Sequence, residues 1–211
     1  MKIVICWKGA YPASWKISFL LLTVAWLLSL SAKAVPLYTD TPEVDKKALS
    51  PGDLDAQFHA DQIRNLTDYI QKTYRVASDK ALTIVTEAIY NGVKYDLDPE
   101  LILAIIAVES TFREDAVSHV GARGLMQVMP RWHPEKIKEI GGAHALFDPK
   151  KNIYTGSKIL VKYLGWSGGN LRRALLRYNG SLSIPNSRYP DKVLRIYNDL
   201  RKINSLMASA S

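Results

Sequence analysis

A single glutamate, Glu109, closes an otherwise unbroken apolar run, Leu101-Ile102-Leu103-Ala104-Ile105-Ile106-Ala107-Val108, and is followed by Ser110. A carboxylate at the end of an all-apolar helix is costly, because burial disfavours the charged form and raises the pKa. A carboxyl group still protonated near neutral pH is what glycosidic cleavage needs, since the leaving oxygen must receive a proton. By itself the same residue reads equally as a helix-end acid paired with an arginine. Glu114 and Asp115 follow in a loop-like stretch and read as exposed charges. Glycoside hydrolysis commonly uses two carboxylates. One suffices if the substrate supplies the nucleophile, because internal attack has a high effective molarity.

Positioning this acid falls to helices. Leu54, Phe58, Leu66, Tyr69 and Ile70 share one helical face, in a first helix ending near Arg75. Ser78-Asp79 suits the cap of a second helix, with Leu82, Val85, Ile89 and Val93 as its apolar stripe. Asp98-Pro99-Glu100 is a helix start: an Asp cap, Pro at the first helical position, and an acid complementing the dipole. The helix it opens is apolar on every side and is expected to be the buried central one. Further helices are expected around 124–129, 134–140, 150–165, 170–179 and 189–206. No internal repeat and no alternating strands are evident, so the expected class is all-α.

The order Glu109-Ser110, Phe112, Ala116, Ser118, Gly121-Ala122, Gly124-Leu125-Met126-Gln127, Met129-Pro130 continues through Asp148-Pro149, Asn152, Gly156 and Tyr163-Leu164. It ends in Ala174-Leu175 and Tyr178-Asn179-Gly180. Over roughly residues 80–200 this series resembles the lytic transglycosylases with a soluble-type catalytic domain, which share a lysozyme-like fold with goose-type lysozymes. The resemblance implies that Glu109 is the single catalytic acid. It would protonate the glycosidic oxygen between N-acetylmuramic acid and N-acetylglucosamine, then act as base on the muramyl C6 hydroxyl, leaving a 1,6-anhydro end. It implies that Ser118, Gln127 and Met129 line the groove around the cleaved bond, and that Tyr178 and Asn179 face the acid from an opposite helix. Asn152 would pack or hydrogen-bond behind the groove as part of the substrate-binding set. Gln127 and Tyr178 carry polar groups suited to orienting a sugar and stabilising developing charge. Each has an ordinary structural reading too: Gly121 and Gly124 as turn residues, Met126 and Met129 as core filler, Tyr178 as packing with a satisfied hydroxyl. The chain departs from the family pattern in two places. Asn179 meets Gly180 directly, and Arg131-Trp132-His133 follows Pro130 where the family often has Thr, a change expected to alter subsite shape.

The first residues are expected to lie outside the fold. Lys2, Lys8 and Lys16 flank an uncharged stretch, Ile17 to Leu30, too short for a membrane span of about 20 residues. Ala32-Lys33-Ala34 follows as a small-x-small cleavage site. The expected organisation is a signal peptide over 1–34, an N-terminal arm and helix over 35–78, and the catalytic domain over 79–206. Cys6 precedes the apolar stretch and is not placed to carry a lipid, so no membrane anchor is expected after cleavage. The portion from Val35 contains no cysteine, hence neither disulfide nor thiolate. Its net charge of +4 is too mild to argue for nucleic acid. The eight Lys/Arg against two Asp over 171–211 read as a solvated helix face, or as loose attraction to an anionic envelope polymer. His59, His119, His133 and His144 have no metal-ligand spacing, and no phosphate loop or Ser/His/Asp order is present; no cofactor and no metal are expected. The implied setting is the periplasm or cell wall, with peptidoglycan strands as partner and an envelope-complex partner left open. The rivals are a lysozyme-type hydrolase, needing a second carboxylate to position water, and a non-catalytic glycan-binding scaffold, which has no need of a costly acid.

Overall fold

Pro51, Pro99, Pro134 and Pro149 stand in the first turn of four helices, where a missing N–H costs nothing and the fixed φ suits helical backbone. The computed structural model describes residues 51–208, with side chains described over 59–203. The expected leader, cleavage site and arm lie outside the described residues, as do the side chains of Leu54 and Phe58. The helices are α1 (Pro51–Tyr74), α2 (Ser78–Tyr95), α3 (Pro99–Glu109), α4 (Pro134–Glu139), α5 (Pro149–Trp166), α6 (Leu171–Tyr178) and α7 (Tyr189–Ala208). Short 3-10 turns occupy Pro130–Trp132 and Ala143–Phe147. Among the described residues there is no strand, only isolated bridges at Val117–Arg123 and Arg123–Val128. The all-α expectation holds.

The core is built around α3. Leu101 to Ala107 are all buried, as an apolar sequence without a polar face requires. α2 and α7 pack against α3, α1 lies on α2 and α7, and α5 joins α2 to α6. α1 therefore belongs to the same packed body as the helices that follow it. The run of α7 is fixed by contacts at both ends of α3: Tyr189 reaches Glu109, and Tyr197 donates to the carboxylate of Asp98. The two helices are thus antiparallel. Asp98 occupies the cap position of α3, but its side chain does not cap; it serves Tyr197 instead.

Two expectations about α2 fail. Its apolar face is Ala81, Ile84, Val85 and Ala88, continuing through Asn91 and Gly92. The expected stripe residues Leu82 and Val93 are 48% and 75% exposed. Val85 is buried as expected and Ile89 packs partly buried against the core, but the face turned to α1, α3 and α5 is set by Ala81, Ile84, Val85 and Ala88; a Cβ on Gly92 would come within 2.7 Å of the Leu97 carbonyl oxygen in the turn that follows the helix. The expected Ser78-Asp79 cap is absent, the cap position being Ala77 without a side-chain bond.

The expected helix over 124–129 is also absent. Arg123 and Val128 exchange N–H to C=O bonds of 3.0 and 3.1 Å, closing a tight turn with positive φ at Gly124 and Gln127. A helix is displaced here because Asn152, buried in the first turn of α5, captures the backbone. Its Oδ1 accepts from Met126 N at 2.8 Å, and its Nδ2 donates to Arg123 O and Leu146 O at 2.9 and 2.7 Å. Asp148 fixes the start of α5 by accepting from the Lys150 and Lys151 amides. Gly124 lies against this brace: a Cβ there would sit 2.2 Å from both Asn152 Nδ2 and Leu146 O.

Gly124→Ala should therefore destabilise the protein by about 1–3 kcal/mol through overpacking and positive-φ strain. Gly141→Ala, with φ of +93° and open space around the new methyl, should cost less. Urea unfolding midpoints of the two variants test this; equal shifts would mean that the close approach at Gly124 carries no energy.

Candidate active site

The site begins where α3 ends. Ser110 N donates to Ile106 O at 3.0 Å and closes the last turn. Thr111 and Phe112 then adopt positive φ, 53° and 62°, so the chain reverses within two residues. Non-glycine residues enter this region at a cost. Phe112 offsets it by burying its ring against Tyr74 at 4.7 Å between centroids. The reversal leaves Glu109 at the edge of the core, its backbone held by α3.

Desolvation is the dominant influence on Glu109. Burial pushes its carboxyl from the ordinary 4.5 up to about 7, against the opposing effect of one hydrogen bond. That bond is donated by Tyr189 Oη to Glu109 Oε1 at 2.7 Å. Among the described residues, no other carboxylate acts on Glu109. Glu114, in the loop beyond, is ion-paired to Lys80 of α2, and Asp115 is exposed, in keeping with their reading as loop charges.

Tyr178, at the end of α6, is close enough for the Glu109 charge to raise its phenol pKa, after desolvation as the main cause. Its hydroxyl donates to Met126 O at 2.9 Å. The phenol therefore fastens the Gly124–Gln127 turn and stands beside the acid without bonding to it. Gln127 is half-buried, and its Nε2 donates to Ala116 O at 3.1 Å and Gly124 O at 2.9 Å. With both amide hydrogens engaged, its side chain offers a ligand only an acceptor. Ser118 is likewise committed locally: its Oγ accepts from Ala122 N at 3.0 Å, and its N–H bonds Ala122 O. Met129 is partly exposed at the entry to the 3-10 turn, and Asn179 is exposed at the end of α6. Asn152 is fully buried with its amide used on backbone, so it reaches the site only through the loop it braces. Met126 is fully buried, as core filler should be.

Sequence reasoning missed Tyr189, the only side-chain hydrogen-bond partner of the acid among the described residues. Its only signal was a Tyr-Pro pair opening the last helix, which says nothing about which residue the ring meets. No group of His, Cys, Asp or Glu suited to a metal ion occurs among the described residues.

The arrangement is an all-α domain with one protonatable, desolvated acid at the rim of its core, a site suited to general acid chemistry. Residues 87–188 match the family model of the transglycosylase SLT domain. The chain is 36% identical over 110 residues to the transglycosylase of enterobacteria phage PRD1, covering 50% of this chain and 39% of the phage protein. It is also similar to membrane-bound lytic murein transglycosylase C of Sodalis glossinidius, 31% identical over 128 residues, 47% of this chain and 36% of the relative. The Cronobacter sakazakii protein of that name is 36% identical over 123 residues, 51% of this chain and 34% of the relative. The chain thus spans less than two-fifths of the length of these relatives. A solved structure, an inactive mutant of lytic transglycosylase Slt from Pseudomonas aeruginosa, aligns with a TM-score of 0.47 at 22% identity, over 72% of this chain and 26% of that one.

The Tyr189 bond stabilises the carboxylate, so its removal should raise the Glu109 pKa further. A carbon-detected NMR titration of the Glu109 side chain should show a midpoint of about 7 in the wild type, moved upward in Tyr189→Phe. An unmoved midpoint would show that the phenol does not bear on the acid.

The same shift couples to stability. Because the folded pKa lies above the unfolded one, the folded state retains a proton that the unfolded state releases between pH 4.5 and about 7. Stability is full below that window and falls as pH rises through it. Glu109→Gln removes this penalty, so its thermal midpoint should gain on the wild type more at pH 8 than at pH 4.5. A pH-independent difference would contradict the desolvation.

Proposed function

We propose that this protein is a peptidoglycan lytic transglycosylase, cleaving the β-1,4 bond between N-acetylmuramic acid and N-acetylglucosamine with formation of 1,6-anhydromuramyl ends. The observation that carries the reading is the solitary desolvated acid, Glu109, with no second carboxylate acting on it among the described residues. The transglycosylase domain match and the murein transglycosylase relatives support the same chemistry.

In this reading Glu109, protonated near neutral pH, gives its proton to the glycosidic oxygen as the bond to the muramyl anomeric carbon breaks. The C6 hydroxyl of the same sugar attacks that carbon and closes the anhydro ring. Its proton passes to the Glu109 carboxylate, which restores the acid, and no water is consumed. One group thus serves as acid and then as base. Tyr189 holds the carboxyl in place and stabilises its ionised interval. Tyr178, Gln127 and the backbone of the Gly124–Gln127 turn shape the wall beside it, with Gln127 Oε1 free to accept from a sugar hydroxyl or amide. Ser118, Met129 and Asn179 border the groove, and Asn152 acts from behind by holding the turn. A hydrolase reading would require a second carboxylate to place water, and Glu114 and Asp115 are engaged or exposed elsewhere. Action at the cell wall, after export, fits the substrate and the leader pattern; no described helix is long and apolar enough to cross a membrane.

Glu109→Gln should keep its fold and lose about 10²–10⁴-fold in turnover. Wild-type protein incubated with purified sacculi should release muropeptides with anhydro ends by mass spectrometry. Reducing ends would make it a hydrolase, and release by Glu109→Gln at near-normal rate would remove the acid from the mechanism. The rate should fall with a midpoint of about 7 as Glu109 loses its proton on the alkaline side. Tyr178→Phe should lower the rate without moving that limb far.

A further inference from the structure

Large aromatic side chains in a water-soluble domain are ordinarily placed with their rings covered. Two tryptophans here are not: Trp132 is 67% exposed and Trp166 is 58% exposed. Trp132 belongs to the Arg131-Trp132-His133 segment, and Trp166 ends α5.

A line of rings leads from beside the acid to Trp166 and to His133, the chain neighbour of Trp132. Tyr178, beside Glu109, meets Tyr163 edge-on at 6.5 Å between centroids. Tyr163 meets Trp166 at 5.6 Å on one side and His133, the neighbour of Trp132, at 6.4 Å on the other. The ring contacts therefore run outward from Tyr178 to the exposed Trp166 and to His133, beside which the exposed Trp132 stands in the chain. Each indole carries a cation on its ring: Lys162 Nζ is 4.4 Å from the Trp166 centroid, and the Arg131 guanidinium is 5.0 Å from that of Trp132. Neither cation has a carboxylate partner among the described residues. Lys136 and Lys162 both act on His133, though burial is the larger cause of its lowered pKa.

A pyranose ring has one face lined with weakly positive C–H groups, which complements the negative face of an indole. A cation beside that indole complements a carboxylate hanging from the sugar. The muramyl unit joins these features, having an apolar ring face, a lactyl group and a peptide bearing free carboxylates. We propose that Trp132 and Trp166, with Arg131 and Lys162, form a distal subsite that holds a peptide-bearing saccharide of the glycan strand several units from the bond at Glu109. The inference rests on the glycan-cleaving reading of the Glu109 site, since the line of rings leads from beside it. The platform sets preference for strand length and for attached peptide, and takes no part in proton transfer.

The test is calorimetric binding to full-length Glu109→Gln protein, using peptidoglycan fragments of two and of eight sugars, with and without stem peptides. Adding Trp132→Ala and Trp166→Ala together should weaken binding of the long fragment at least about tenfold, or about 1.4 kcal/mol, and leave the disaccharide unaffected. Arg131→Gln with Lys162→Gln should weaken only peptide-bearing fragments, and most at low salt. Trp→Tyr at both positions should restore part of the affinity, separating ring stacking from structural damage. In otherwise wild-type protein, the Trp→Ala pair should raise KM on long strands with little change in kcat. Equal affinities of Trp→Ala and parent proteins for the long fragment would overturn the proposal. Absence of both anhydro and reducing-end products from wild-type protein would instead overturn the cleavage reading, while the calorimetry still decides whether the platform binds.

Discussion

The structure depends on the exclusion of water from one carboxyl group. Glu109 is the last residue of a helix that is buried on all sides, so its side chain emerges where the core meets the surface. There the carboxylate is poorly solvated, and the acid form persists to about pH 7. Moving the residue one turn inward would bury it without access to a substrate. Moving it one turn outward would solvate it and return its pKa to the ordinary range. The surrounding helices can be understood as the means of holding it at that depth.

That depth is maintained from three directions. α7 runs antiparallel to α3 and brings Tyr189 against the carboxyl, while its Tyr197 ties the far end of α3 at Asp98. The chain after Ser110 is reversed by two left-handed residues and pinned by Phe112 on Tyr74. On the remaining side, Asn152 and Tyr178 each seize backbone groups of the Gly124–Gln127 turn. Three polar side chains that read as ligand contacts, Ser118, Gln127 and Asn152, spend most of their hydrogen-bonding capacity on this backbone. Rigidity of the wall is what their chemistry supplies first. A catalytic group is useful only if its neighbours do not shift when it changes charge.

Desolvation also bears on stability. A carboxyl group that resists ionisation destabilises the fold above its unfolded pKa, and the Tyr189 hydrogen bond recovers only part of this. The positive-φ residues Thr111, Phe112 and Gln127 add backbone strain in the same region. The strain and the penalty collect around one residue, while the paired helices behind it are ordinary apolar packing.

The sequence alone determined the all-α class, the central helix and its acid, because a run with no polar face can be satisfied only by burial, and the acid's place at its end follows. It also carried the resemblance to the transglycosylase SLT domain, through the order of short motifs from Glu109 to Asn179. It misplaced Leu82 and Val93 on the buried side of α2 because their hydrophobicity exceeds that of Ala81 and Ala88, whereas packing on α1, α3 and α5 decides which side is buried. It read a helix at 124–129, and no local signal reveals that Asn152, distant in the chain, takes up the Met126 amide and the Arg123 carbonyl. Only the tertiary structure placed Tyr189 on the acid, since α7 packs along α3 through contacts distant in sequence. Spacing reports which residues share a face of one helix. It carries no information on where two helices cross, and that crossing decided what the carboxyl group touches.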